Sequence, residues 1–294
     1  MLVFCTRQPE KEKNDTSQLG YFVDPFIGTT GFGKLSPGAI LPFGQMQIGP
    51  ATEKGSNQYN YIGDTIRGFY HLQQLNGHAP DFSLFPMLGQ LTKNIHVGSF
   101  FSHNAESAIP GYYKVRLLKD EIVAEITTTG RAALYRFTFP EASVTTILLN
   151  LHDSLATVAG IKIIDNKTIT GYKQTAAGKV CFAVSFIKPF YNYVFINQHG
   201  KTIRDTTVVD TLAALAGFEY ATEEGEALLV KVGVSFTSEE NALLNLGTEL
   251  PGWNFDLVRK EAARKWLAQL SKIVVETENL KEKTYFTQHC TIAR

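Results

Sequence analysis

Cysteine is scarce in this 294-residue chain, with only Cys5, Cys181 and Cys290 present. They are odd in number and far apart, with no CxxC and no Cys/His ligand spacing, so neither a disulfide framework nor a zinc site is implied. Net charge is also lacking: 28 Lys plus Arg balance 28 Asp plus Glu. No field therefore draws the chain to nucleic acid or to an anionic membrane surface. No apolar run approaches the ~20 residues needed to span a bilayer. GxSxG, HExxH and Walker sequences are missing, and Gly31-Phe32-Gly33 is too short, with no helix signal after it, to cradle a phosphate. The remaining composition, 44% hydrophobic and 12% aromatic, is that of one large all-β domain or two ordinary ones.

The residues that are present favour strands. Segments 113–130, 132–140, 145–151, 162–174, 180–187, 192–198 and 227–236 are rich in Val, Ile, Thr, Phe and Tyr and are divided by Gly, Pro, Asn or Asp, as strands broken by turns are. Roughly a dozen strands cannot stay in one flat sheet, because twist splits so wide a sheet into two packed layers. The expected fold is all-β, a large two-sheet antiparallel β-sandwich. From Pro251 the period changes. Phe255, Val258, Ala262, Trp266 and Leu270 recur every three or four residues, Asn254 is placed to cap the first turn, and Asp256 meets the positive end of the dipole. This predicts an amphipathic linker helix of about four turns. The expected domains are a polar, disordered tether or signal remnant over 1–18, the sandwich over 19–252, and over 253–294 the linker helix and the start of a further helical domain.

Two segments are candidates for a site. Residues 24–50 combine six glycines and four prolines with Phe26, Ile27, Leu41 and Phe43. That mixture predicts an ordered loop pressed against a core, which either lines a site or ties down the N-terminal strand. In 67–86, His71, Gln73, Gln74, Asn76, His78 and Asp81 stand among Phe69, Tyr70 and Phe82. Amides, imidazoles and carboxylates bond hydroxyls while aromatic faces cover C–H groups, which suits a sugar; a polar loop crossing a sandwich rim has the same composition. Arg131 and Arg136 are expected to pair with Glu106 or Glu125 across neighbouring strands, and Cys181 to be a small core residue. The apolar residues 1–4, followed by Cys5 and a polar run over 6–18, are similar to the end of a bacterial lipoprotein signal, although the charged region is missing and Phe4 is bulky. Cys5 is the lipid-attachment candidate; an incomplete signal without lipid is the alternative.

A series of motifs runs in order along the chain: VDPFIGT (23–29), PGAILPFGQMQIGP (37–50), TIRGFYH (65–71), FSHNAESAIPGYYKVRL (101–117), EITTTGRAALYRFTFP (125–140), VKVGVSFTSEENALLNL (230–246) and ELPGWNFDLVRKEAARKWLAQLSKIVVE (249–276). Together they resemble glycoside hydrolase family 92, the bacterial α-mannosidases, and in particular its N-terminal β-domain. The resemblance covers about residues 20–294. It implies a galactose-mutarotase-like supersandwich packed on a C-terminal α/α catalytic domain that carries the catalytic acid, the catalytic base and a bound calcium. Here TYFTQHCTIAR (284–294) is similar to the first helix of that domain, whose remainder is missing. Inverting hydrolysis needs an acid on the leaving oxygen and an opposed carboxylate activating water, and the resemblance assigns neither, nor any metal ligand, to this chain.

The complete protein is then expected to be an inverting exo-α-mannosidase acting on mannose-containing glycans such as N-glycans, or a divergent relative acting on another α-linked glycan. Its expected place is the bacterial cell envelope, as a periplasmic protein or an outer-membrane lipoprotein. The chain alone is expected to be inactive, bracing the catalytic domain and lending it Phe32, Lys34, Tyr59, His71 and Asp81 as substrate-rim residues. Three departures from the family pattern fall on this rim: Phe32 and Lys34 stand where histidines are usual, 56–64 has Tyr59 and Tyr61 but no tryptophan, and 71–81 keeps only His71 and Asp81. The alternative is a carbohydrate-binding or structural remnant without hydrolytic activity. With the catalytic domain missing, the helix face bearing Trp266 and Leu270 is expected to lie bare and to promote self-association.

Overall fold

The computed structural model describes residues 16–31, 33–73, 81–93, 95–152, 156–204, 206–209, 213–275 and 277–292. The β-branched and aromatic segments pair into two large antiparallel sheets. The first runs Ala39–Ile40, Gln47–Ala51, Gly68–Tyr70, Ser83–Leu88, Ala142–Asn150, Ala213–Thr222, Asn192–Asn197, Thr202–Ile203. The second runs Val208–Val209, Ala156–Asp165, Thr168–Thr175, Gly178–Phe186, Glu226–Ser235, Ala132–Phe139, Ile122–Thr128, Tyr112–Leu117, Glu106–Ile109. The sandwich expected from the strand pattern is the observed architecture. Two segments read as single strands are hairpins: 113–130 turns back where Glu121 takes a φ of 55°, and 162–174 folds at Asn166 and Lys167. The strand Ala213–Thr222 has no β-branched run to announce it. Its place between two partners, Ala142–Asn150 and Asn192–Asn197, overrides its weak propensity.

Phe69, Tyr113, Tyr135, Phe137, Phe182 and Phe218 belong to the large buried cluster of the sandwich. The second sheet is covered on its other side as well, by two helices. Helix α1 (Glu239–Glu249) seats Ala242 and Leu246 on Ala183; a Cβ on Gly233 would stand 2.5 Å from the Ala242 carbonyl, so only glycine lets this helix lie so close. Helix α2 (Phe255–Leu270) brings Phe255 against Tyr112, Ala132 and Leu134. With both faces covered, Ile122–Thr128 is buried almost throughout instead of alternating. Cys181 is fully buried, as expected, and burial pushes its thiol up.

The caps of both helices follow local chemistry: Ser238 Oγ accepts the Asn241 amide at 3.1 Å and Asn254 Oδ1 the Leu257 amide at 3.0 Å. The expectation of a bare face on α2 is overturned. Ala262, Trp266 and Leu270 pack against Leu19, Val23 and Leu41, and Trp266 Nε1 donates to the Ile40 carbonyl at 2.6 Å. Leu19 comes from the 3-10 turn Thr16–Phe22, so the chain's own N-terminal turn covers the face assigned to a missing domain. That turn begins inside the 1–18 tether of the sequence reading; residues 1–15, Cys5 among them, lie outside the described residues.

Truncating Trp266 to Ala removes this buried ring and its hydrogen bond, and the expected cost is about 3–5 kcal/mol. Urea unfolding followed by circular dichroism reads it; a bare face would make the substitution nearly neutral.

Candidate functional site

The glycine-rich segment forms the ordered loop that its composition predicts. Asp24 Oδ1 accepts the Phe26 amide at 2.9 Å, the Phe26 carbonyl accepts both the amide and hydroxyl of Thr29, and the Leu35 amide closes the loop on the Gly28 carbonyl at 3.1 Å. A Cβ on Gly33 would sit 2.2 Å from that same carbonyl, so a side chain there would burst the loop. Lys34 is exposed and is held at a φ of 49°, a conformation that side chains resist. The neighbouring loop, 53–64, joins it through the Tyr61 amide, which donates to the Thr29 carbonyl at 3.0 Å. Phe26 meets the Tyr61 ring edge-on at 5.9 Å and lies 6.5 Å from Tyr59.

Beneath the two loops is a carboxylate. Glu106, with no exposed side-chain surface, accepts the Tyr113 hydroxyl at 2.5 Å on one oxygen. Its other oxygen faces the Tyr59 hydroxyl at 2.9 Å and His103 Nδ1 at 2.7 Å. His103 Nε2 reaches the Tyr61 carbonyl at 2.8 Å, and the Tyr61 and His103 rings stack with centroids 3.9 Å apart and 7° between planes. Burial, then the Glu106 charge, pushes the Tyr59 and Tyr113 hydroxyls far up, so both keep their protons. Tyr61 remains 38% exposed.

The described residues of the 67–86 cluster, His71, Gln73 and Asp81, bond within the fold. Asp81 is buried, and its Oδ1 accepts the amides of His71, Leu72 and Phe82 while Oδ2 accepts Asn57 Nδ2 at 3.0 Å. Burial pushes the carboxyl up to about 6, against the pull of these donors and of Lys173. His71 is enclosed: its Nδ1–H donates to the Phe82 carbonyl at 2.9 Å, and its Nε2 accepts the Tyr135 hydroxyl at 2.8 Å. Burial lowers it to about 3. Gln73 Nε2 ties loop 53–64 to the strand Gln47–Ala51, donating to the Asn57 carbonyl at 2.6 Å and to the Pro50 carbonyl at 2.9 Å. His71 and Asp81 are thus core residues in place of the rim residues expected, because each polar atom they carry is already matched inside the sandwich. Tyr59, also expected on the rim, is buried, with its hydroxyl on Glu106. Lys34 is the one exposed residue among the described candidates, and Phe32 and residues 74–80 lie outside the described set.

The other charged groups expected in pairs are structural. Arg136 grips Glu125, its direct cross-strand partner, through Nε at 2.7 Å and a second nitrogen at 2.8 Å. Burial alone would raise Glu125, but hydrogen bonds from Arg136 and Tyr112 hold it below the usual carboxylate range. Arg131 pairs with neither expected carboxylate. Its Nε goes to Glu249 of α1 at 2.7 Å, and the same side chain receives the Arg131 amide and the Thr129 hydroxyl. Among the described residues no three His, Cys, Asp or Glu side chains converge on a point that would hold a metal ion; the calcium that the resemblance implies is expected in the catalytic domain and not among these residues. Sequence reasoning gave Tyr61, His103 and Glu106 no place in a site; the i, i+3 spacing of the last two within FSHNAE was the available signal.

The model of the glycosyl hydrolase family 92 N-terminal domain matches residues 22–235, and that of the family 92 catalytic domain matches residues 241–290. An uncharacterised secreted glycosidase of Arthroderma benhamiae is 26% identical over 89% of this chain and 39% of its own length. Among solved structures, a family GH92 α-mannosidase from Bacteroides thetaiotaomicron is 28% identical with a TM-score of 0.86, over 94% of this chain and 41% of that one; it has also been solved with mannoimidazole bound. An inverting mannosidase of the same organism is similar in fold, with a TM-score of 0.83 at 22% identity, over 92% of this chain and 38% of that one. The chain spans about two fifths of the length of these relatives.

The buried histidine gives a signed pH dependence. His71 is lowered from 6.5 to about 3, so its contribution is present above pH 6.5 and is lost as pH falls toward 3. Asp81 is raised from 3.8 to about 6, so its contribution runs the other way and is lost as pH rises through 6. Replacing His71 by Phe removes the first linkage only. The cost of His71→Phe, measured by urea unfolding, is expected to shrink by about 2 kcal/mol between pH 8 and pH 5; a cost independent of pH would contradict the neutral buried imidazole.

Proposed function

The chain belongs to glycosyl hydrolase family 92, and from that membership we propose that it is the N-terminal domain, with the opening of the catalytic domain, of a mannose-releasing glycosidase. One observation carries the reading. The Asp24 amide donates to Gln288 Oε1 at 2.8 Å, joining the foot of the glycine-rich loop to helix α3 (Leu280–Ile292), which falls in the stretch matched by the catalytic-domain model. We read the loops 24–36 and 53–64, with Lys34 and Tyr61 exposed, as one wall of a glycan cleft completed by the helical domain. A mannose-like sugar is supported by the relative solved with mannoimidazole.

Hydrolysis requires an acid that can give a proton and a carboxylate free to take one from water. Glu106, Glu125 and Glu249 are each saturated by donors from the fold, which suits none of them to either role. The acid, the base and the calcium ligands belong, in this reading, to the remainder of the catalytic domain. An envelope location with Cys5 as lipid-attachment point is part of the same proposal, supported by the apolar residues 1–4 and polar run 6–18 and by the secreted description of the fungal relative. The exposed Tyr61 on His103 also favours a weaker second reading, glycan binding by this chain without hydrolysis.

Assays of mannose release from an α-mannobiose test the first reading. The full-length polypeptide is expected to release mannose with inverted anomeric configuration, seen by proton NMR of the fresh product, and the 294-residue chain to release none. Release by the chain alone would sink the assignment of the chemistry to the helical domain. In the full-length protein, Tyr61→Ala is expected to raise KM roughly 3–10-fold through loss of ring stacking, with a smaller effect on kcat.

A further inference from the structure

The two described histidines with fully defined ring partners differ in one respect. His71 has an acceptor on Nδ1 and a hydroxyl donor on Nε2, the arrangement of a neutral ring. His103 has acceptors on both sides: the Tyr61 carbonyl at Nε2 can only accept, and Glu106 at Nδ1 already receives the hydroxyls of Tyr59 and Tyr113. Those phenols have no other acceptor among the described residues, so both oxygens of Glu106 accept from hydroxyls, Oε1 from Tyr113 and Oε2 from Tyr59. Acceptor oxygens therefore stand at both ring nitrogens, Glu106 at Nδ1 and the Tyr61 carbonyl at Nε2.

We propose that His103 is a positioning residue that donates from both ring nitrogens, forming with Glu106 an imidazolium–carboxylate pair that holds Tyr61 at the rim. Its role at the rim rests on the glycan-cleft reading; its protonation does not. The stack on Tyr61, at 3.9 Å and nearly parallel, sets a positive ring against an electron-rich face. The carbonyl bond fixes the backbone of the same residue, so the pair holds both ring and main chain. Phe101 meets the ring edge-on at 5.1 Å, the His103 side chain remains 32% exposed, and Ser102 caps the short turn His103–Ala105 that carries the imidazole. The groups facing His103 are therefore Glu106, with Tyr59 and Tyr113 behind it, and Tyr61 and Phe101. Both carboxylate oxygens are occupied, so a neutral histidine would leave either the carboxylate or the Tyr61 carbonyl without its donor.

Histidine-selective nitrogen-15 labelling of the 294-residue chain tests this directly. With seven histidines in the chain, the His103 signals are assigned by their loss in His103→Gln. Both of its ring nitrogens are expected to resonate as N–H nitrogens at about pH 7, where a free imidazole is mostly neutral. A bare nitrogen at either position overturns the proposal. Glu106→Gln keeps the shape and withdraws the charge; it is expected to return His103 to one ring proton and to speed amide exchange across residues 59–63 by about 10-fold. A His103 that keeps both protons in that variant would overturn the pairing. None of these readouts involves glycan, so they fail or succeed independently of the cleft reading.

Discussion

A carboxylate taken out of water must be matched donor for donor, and the burial of Glu106 is the constraint on which the proposed rim depends. Its donors come from three places: Tyr59 from the loop 53–64, His103 from a short 3-10 turn and Tyr113 from the strand Tyr112–Leu117. None of these is near another in sequence except the last two. Satisfying one side chain therefore fixes a loop against a sheet, and through the Tyr61 amide and the Thr29 carbonyl it fixes the glycine-rich loop as well. Exposed Tyr61 and Lys34 stand on a base held by these hydrogen bonds.

The same device recurs where helices meet the sandwich. Glu249 at the end of α1 gathers the hydroxyl of Thr129 and the amide and guanidinium of Arg131, and the Gly130 carbonyl between them accepts the amides of Gln45 and Met46. A turn in the second sheet is thereby tied both to a helix and to the segment that leads out of the glycine-rich loop. Trp266 adds an apolar counterpart, bridging α2 to the N-terminal turn and donating to Ile40. The loop region, the linker helix and α3 are therefore packed as neighbours on one set of N-terminal residues.

Much of the fold was legible because it rests on local pattern. Most strands named from β-branched runs are strands, and α2 begins at its expected cap and shows its expected face. Arg136 and Glu125 were legible only as one of several cross-strand pairings, and the register, which places them directly opposite, made the choice. The site was less legible. His71 and Asp81 looked like sugar ligands because composition cannot distinguish a polar group facing water from one whose partners arrive from distant strands. His103 and Glu106 were visible in a motif but carried no sign of what converged on them. The strand Ala213–Thr222, poor in β-branched residues, is made by its two neighbours.

The sequence by itself determined the sandwich, the family and the linker helix, since alternation, helical period and ordered motifs are properties of residues near one another along the chain. Only the tertiary structure decided that the Trp266 face is covered by residues near Leu19, that Arg131 turns to Glu249, that His71 and Asp81 are core groups, and that Tyr61 is carried on His103 and Glu106. Each of these pairs residues far apart in the chain, and burial leaves the choice of partner to whichever donor or apolar surface the packed sheets bring within reach.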